Sequence, residues 1–359
     1  MKNKSPFIWD HYSDQPQVIK DKKYKRDMRK KYKFDFIKMF FTSILVFPFG
    51  LLLQKLFIKE REEETFLNKN FYGLSVNLNK GDIQQQLIEE LGVKSLLMRI
   101  PLFDVDNLEK YYEFAKSFGE DKEFVIVILQ DRENIENHEL LRTNITQIFS
   151  MFNSFVKEYQ IGIAINRAKW GFFAVEEYLK FYKVVENIRD NNFNMIKLLG
   201  PSVIDFEYHY TIRALFNNYD VQFDNLSSLL YVDRRGAPQN KQMIIFDTKN
   251  KVDLLYSLVK LSPKMKTNNI YITEVNWPLS NTAPYAPTSE KECVSEEDYS
   301  KYMIDYFRIV QETGKVKKVF WHQLIAPGYG LVDNRDDEIR KTKAFYSFKE
   351  MINQSSNKI

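Results

Sequence analysis

From Phe71 onward, short apolar runs alternate with longer stretches whose apolar positions recur every three or four residues. The first pattern is that of a strand buried on both faces, the second that of a helix packed by one face. The runs are FYGLSVN from Phe71, KSLLMRI from Lys94, FVIVILQ from Phe124, YQIGIAIN from Tyr159, MIKLLG from Met195, FDNLSSLLYV from Phe223, NIYITEV from Asn269 and VKKVFWHQL from Val316. Stretches such as IQQQLIEELG and EEYLKFYKVVENIRD lie between them and predict helices. Eight such units predict an α/β fold, a closed (β/α)8 TIM barrel. No G-x-G-x-x-G follows the first run and no P-loop appears, so the cues for a dinucleotide fold or a nucleotide phosphate loop are missing.

The pattern before residue 66 is different. Lys20 to Lys38 reads KDKKYKRDMRKKYKFDFIK, a basic arm with interleaved aromatics, and a short hydrophobic helix is predicted directly after it. Met39 to Leu53 carries no charge, is shorter than the roughly 20 apolar residues of a spanning helix, and is interrupted by Pro48 and Gly50. Three readings stand: a marginal spanning helix over Phe36 to Ile58, an interfacial anchor whose lysines meet anionic lipid, or a helix packed on the outside of the barrel. A secretory signal fits poorly, because the charged region is too long and no small-residue cleavage site follows. The acidic run Glu60 to Glu64 reads as a linker. The expected division is a basic arm plus membrane-associating segment over 1–65 and the barrel over 66–359. The expected partner of residues 20–58 is a membrane surface, at the bacterial inner membrane, with the side of the barrel open.

Charge changes the picture little. The formal net charge is +4 over 359 residues, and much of the excess precedes residue 40, so the barrel has no basic face for nucleic acid. Four histidines without ligand spacing and a single cysteine, Cys293, argue against a metal site, and no cofactor motif is present.

In a barrel of this kind the chemistry sits where the strands end at their C-terminal side. Those ends hold Asn77, Arg99, Gln130 to Arg132, Asn166 and Arg167, Asp205 and Glu207, Tyr231 and Asp233, Glu274, and Trp321 to Gln323. Glu274 is the one carboxylate that ends a strand directly. Burying it among apolar neighbours is costly unless it is paired or put to use. It is therefore either a structural partner of Arg99 or Arg167, or a nucleophile or base.

The motifs ITEVNWP (Ile272 to Pro278), LLYVDRRGAPQN (Leu229 to Asn240) and FWHQLIAPGYGLVD (Phe320 to Asp333) resemble the strand ends of clan A glycoside hydrolases. The resemblance implies Glu274 as nucleophile, Asn166 on the sugar's 2-hydroxyl, Tyr231 as a hydrogen-bonding ring and Trp321 as the floor for the sugar. Trp277 and Gln323 fall beside these as substrate contacts. The family's general acid would follow Asn166, where this chain has Arg167. Retaining cleavage needs two carboxyls about 5 Å apart, and a guanidinium cannot donate the proton. The candidates for a relocated acid are Asp131, Asp205, Glu207 and Asp233. Alternatively, Arg99, Arg132 and Arg167 bind an anionic substrate, or the barrel has kept sugar binding without catalysis. The expected ligand is a carbohydrate in each case.

Overall fold

A computed structural model describes residues 9–10, 15–16, 21–60, 70–336 and 338–356. Its eight principal strands are β1 (Tyr72–Val76), β2 (Ser95–Pro101), β3 (Glu123–Leu129), β4 (Glu158–Ile161), β5 (Lys197–Ile204), β6 (Asn225–Leu229), β7 (Ile270–Val275) and β8 (Val316–Trp321). All neighbours are parallel, and β8 returns to β1, so the barrel is closed. Gly73 makes that closure possible, because a Cβ there would lie 2.4 Å from the Phe320 ring of β8. The strand bounds differ from the sequence runs, most of all at β4 and β5. β4 stops at Ile161 because Gly162 turns into the left-handed region, with φ 74°. β5 continues through Pro201 to Ile204, with a register shift against β6.

The helices are α1 (Lys22–Lys31), α2 (Lys33–Leu56), α3 (Ile83–Leu91), α4 (Leu108–Lys116), α5 (Arg132–Glu136), α6 (His138–Phe152), α7 (Val175–Asn192), α8 (Tyr208–Leu215), α9 (Thr248–Leu261), α10 (Glu296–Thr313) and α11 (Lys343–Ser356). Those after α2 wrap the barrel. At the bottom of the barrel, buried Lys318 of β8 holds Glu123 at 2.8 Å and Glu158 at 3.1 Å, at the start of β3 and β4. Charge at this end is satisfied internally and supports stability.

The hydrophobic segment forms one uninterrupted helix, α2, 24 residues long with Pro48 inside it. Pro48 does not break it, because contacts on both sides of the proline press it onto the barrel. Phe47 stacks on Tyr208 of α8, ring centroids 4.4 Å apart. Gly50 lets the backbone approach α9, since a Cβ there would meet Leu254 and Leu258 at 3.2 Å. Near one end, buried Asp35 pairs with Arg213 of α8 at 2.8 Å and accepts the Glu176 N–H at the head of α7 at 2.9 Å. Near the other, Gln54 donates to Asn250 of α9. The opposite face is bare: Phe34, Ile37, Phe41, Leu45, Phe49 and Leu52 are each between 49% and 67% exposed. The helix therefore packs on the barrel's outside by one face only. Of the acidic linker, residues 61–64 lie outside the described residues, as does the boundary at 65/66.

Removing one partner of a buried ion pair costs about 3–5 kcal/mol, because the other charge is stranded. Asp35→Leu should therefore release α2, read as faster proteolytic cleavage within residues 21–60 and a lower urea midpoint. Unchanged cleavage would show that the pair does not hold the helix.

Candidate active site

Glu274 sits at the mouth of β7, 6% exposed. Arg99, from the end of β2, donates to one carboxyl oxygen, and the Tyr231 hydroxyl donates to the other at 2.5 Å. The carboxyl plane is thus fixed from two strands. Each donor is held in turn. Trp170, in the loop after β4, places its ring 6.0 Å from the Arg99 guanidinium. The Arg235 guanidinium lies 3.5 Å from the centre of the Tyr231 ring. Burial, and then the charge of Glu274, push the Tyr231 hydroxyl well above its ordinary pKa, so it remains a donor.

The loop after β4 is stapled in place. Gln130 donates to Ile163 O at 2.8 Å and Trp170 O at 2.6 Å, and accepts from Ile163 N at 2.9 Å. Arg132 donates to Gly171 O at 2.8 Å and to Glu177 at 2.9 Å, and pairs with Glu136 at 2.5 Å. Arg132 is thus committed to structure rather than open to a substrate anion.

A second cluster forms between β4 and β5. Arg167 bridges Glu207 at 2.5 Å and Asp205 at 2.6 Å. Asn166 donates to Glu207 at 2.9 Å and to Ile204 O at 3.0 Å, and its own carbonyl accepts from Ile204 N. The position where an acid is expected therefore neutralises the two nearest acid candidates. Asp131 caps α5, accepting from Asn134 N at 2.8 Å, and burial raises its pKa above the usual carboxylate range. Asp233 lies in the turn that carries Arg235.

The indole pair departs from the sequence expectation. Trp277 and Trp321 stack on each other, centroids 5.7 Å apart, and both are 0% exposed. Trp321 donates to Tyr299 OH at 2.9 Å and Trp277 to Gly236 O at 2.9 Å. Neither ring has an open face for a sugar in this arrangement, because Tyr299, Tyr302, Tyr306 and Phe307 of α10, the helix that follows the long loop after β7, pack around them. That loop is tied down by Leu279 N donating to Gly328 O at 2.8 Å. Gln323 is buried as well.

No protein-family model and no curated protein matches this chain. Solved structures do match. The family 1 β-glucosidase of Thermotoga maritima aligns with a TM-score of 0.58 at 11% identity, over 82% of this chain and 99% of that one. The same enzyme in complex with castanospermine gives the same values. The GH39 enzyme of Xanthomonas axonopodis pv. citri aligns with a TM-score of 0.57 at 12% identity, over 79% of this chain and 66% of that one. The chain shares the closed (β/α)8 barrel fold of these enzymes. At these identities the likeness concerns the course of the chain and not its side chains.

Of three further polar groups around the site, Lys169 and Lys251 had no clear signal in the sequence, while His322 ends a strand. Lys169 lies in the β4 loop, where burial and Arg167 lower its pKa while Glu274 and Asp205 oppose them. His322 is held far below its ordinary pKa by burial and then by Arg99, and its Nδ1 has no hydrogen-bond partner among the described residues. Lys251 of α9 is 1% exposed and donates to Tyr231 O at 3.2 Å. A lysine in a helix reads as surface, and only the fold reveals that this one points inward.

Burial lowers the Lys251 pKa to about 8, below the unfolded value of about 10.4. Between these limits the unfolded chain binds the extra proton, so the Lys251 contribution to stability rises with pH through that window. Urea unfolding of wild type and Lys251→Met at pH 7 and pH 10 should show the balance shifting toward wild type at the higher pH. A pH-independent difference would count against a buried, strained ammonium.

Proposed function

We propose that this chain is a membrane-associated, glycoside hydrolase-like protein acting through Glu274 on an anionic cell-surface or polysaccharide glycan. The observation that carries the reading is the mounting of Glu274, with both carboxyl oxygens aimed by Arg99 and Tyr231 at the C-terminal mouth of a closed barrel. Active sites of such barrels lie at this end. The sugar-mimic ligands in several of the matched β-glucosidase structures are consistent with a carbohydrate ligand. A second reading, a catalytically silent sugar-binding or glycan-assembly module, is favoured by one observation: Arg167 occupies the acid position and ties up Asp205 and Glu207.

One assay separates the two. With an aryl glycoside whose phenolate leaves without protonation, Glu274→Gln should lower turnover by about 10³-fold or more. Equal rates in wild type and variant would remove Glu274 from the chemistry. Arg167→Glu, assayed on an unactivated glycoside, should gain hydrolysis if only the proton donor is missing. Silence of both proteins on every glycoside would favour the binding module.

The membrane part of the proposal rests on α2, in a division of the chain into an arm over 1–65 and a barrel over 66–359. Its anchoring contacts run from Asp35 to Gln54, about 28 Å at 1.5 Å per residue. That approaches the roughly 30 Å of a bilayer's hydrocarbon core. A spanning α2 docked in this way would drag α8 and α9 into lipid. Lying in the plane of one leaflet, α2 instead buries its bare face while Lys38 and Lys55 reach the headgroups. In flotation assays the full chain should rise with vesicles of phosphatidylcholine and phosphatidylglycerol, and Phe41→Glu/Leu45→Glu should stay behind. Equal flotation of both would refute this face as the contact.

A further inference from the structure

A groove of about 920 Å³ separates α1 and the start of α2 from the loop after β4. Lys22, Lys25, Arg26, Arg29 and Lys33 line one wall, and Arg167 and Lys169 the other. Lys22, Lys25, Arg26 and Arg29 recur at three- and four-residue spacing, so they share one face of α1, and Lys33 follows at the start of α2. The adjoining face carries Tyr24, Met28 and Tyr32 and docks on the barrel: Tyr24 meets Phe173 edge-on at 5.7 Å, and Tyr32 donates to Glu177 at 2.8 Å. Among the described residues, Lys22, Lys25, Arg26 and Arg29 have no carboxylate within ion-pair distance, while Arg167 is already balanced by Asp205 and Glu207. Like charges held together across a groove repel one another unless an anion enters.

A short relay of contacts links the groove wall to the candidate nucleophile. Lys169 is part of that wall, and the next residue, Trp170, stacks on the Arg99 that holds Glu274. Phe36 and Ile37 line the groove's other end, where it meets the bare apolar face of α2. Lys169, on the groove wall, lies within reach of the Glu274 charge, and the position expected to supply a proton donor is a guanidinium. A sugar hydroxyl leaves poorly without a proton, which is why a general acid contributes about 10²- to 10⁴-fold. A phosphate leaves as a stable anion, with its second pKa near 6.

Building on Glu274 as nucleophile, we infer that the glycosyl donor is a glycosyl phosphate, its phosphate seated in the cationic groove and its sugar at Glu274. In the first step a Glu274 oxygen forms a bond to the anomeric carbon as the bond from that carbon to the phosphate oxygen breaks. The electron pair leaves on the phosphate, which Lys169 and the α1 cations stabilise. In the second step water attacks the same carbon and the bond to Glu274 breaks, returning its electron pair to the carboxylate. The proton of the attacking water passes to the departed phosphate. The phosphate is either free or esterified to a lipid tail, for which the apolar end of the groove leaves room.

The test uses the full-length protein in vesicles of phosphatidylcholine and phosphatidylglycerol. It is exposed to 2-deoxy-2-fluoro glycosyl fluorides, the matching 1-phosphates and their polyprenyl phosphodiesters, in gluco, galacto and manno configurations. Labelling of Glu274 is read by peptide mass mapping. Labelling by a phosphate donor, slowed by inorganic pyrophosphate, is the expected result, and the faster of the free and lipid-linked forms identifies the source. Labelling by a fluoride alone overturns the phosphate inference and leaves Glu274 as nucleophile. No labelling by any donor overturns the proposed catalytic reading, and this inference with it. In Arg26→Glu/Arg29→Glu the ratio of phosphate to fluoride labelling rates should fall at least about tenfold, the scale of one lost charge-assisted contact. An unchanged ratio removes the groove from phosphate binding.

Discussion

A carboxylate enclosed at the end of a barrel has to be answered by donors, and the surroundings of Glu274 follow from that requirement. Arg99 and Tyr231 supply the hydrogen bonds. Arg99 then needs a cover, which Trp170 provides, and Trp170 needs a fixed loop, which Gln130 and Arg132 provide. Arg132 in turn shares Glu177 with Tyr32, at the junction of α1 and α2. A continuous chain of contacts therefore runs from the bottom of the cleft to the N-terminal arm. Buried polar networks of this kind are stable only when nearly every member is satisfied. This accounts for the heavy use of side chains on backbone carbonyls around the β4 loop.

The barrel was legible because its signal is redundant. Eight apolar runs and the helical stretches between them all describe one architecture, and a misplaced strand end changes little. Glu274 and Arg99 were legible for a related reason: both end strands, and strand ends face the mouth. The state of the other residues depends on contacts between distant segments. Nothing near Arg167 in the chain announces that Asp205 and Glu207 will close on it from beyond β5. Trp321 reads as a platform for the sugar and Trp277 as a contact beside it, but whether either ring is open depends on how α10 packs its aromatic side chains against them. Lys251 reads as a solvated helix residue until the fold turns it inward.

The hydrophobic segment is ambiguous in the sequence because it is short for a spanning helix and Pro48 and Gly50 interrupt its apolar run. Asp35, Gly50 and Gln54 lie on one side of the helix, and each makes a contact that an apolar side chain would lose. The helix is two-sided. Asp35, Gly50 and Gln54, with Phe47 among them, mark the face that meets protein, and an unbroken set of large apolar residues forms the face that does not.

The sharing of Glu177 has a thermodynamic consequence. Its carboxylate accepts from Arg132 and Phe173 N on the barrel and from Tyr32 on the arm. An arm lifted from the barrel withdraws one of those donors, and a β4 loop that shifts alters the remaining two. Binding at either end is therefore linked to the other through a common acceptor, and linkage is reciprocal in free energy. To the extent that a surface holding the arm in place improves the fit of a ligand at the mouth, that ligand tightens the arm's hold on the surface by the same factor.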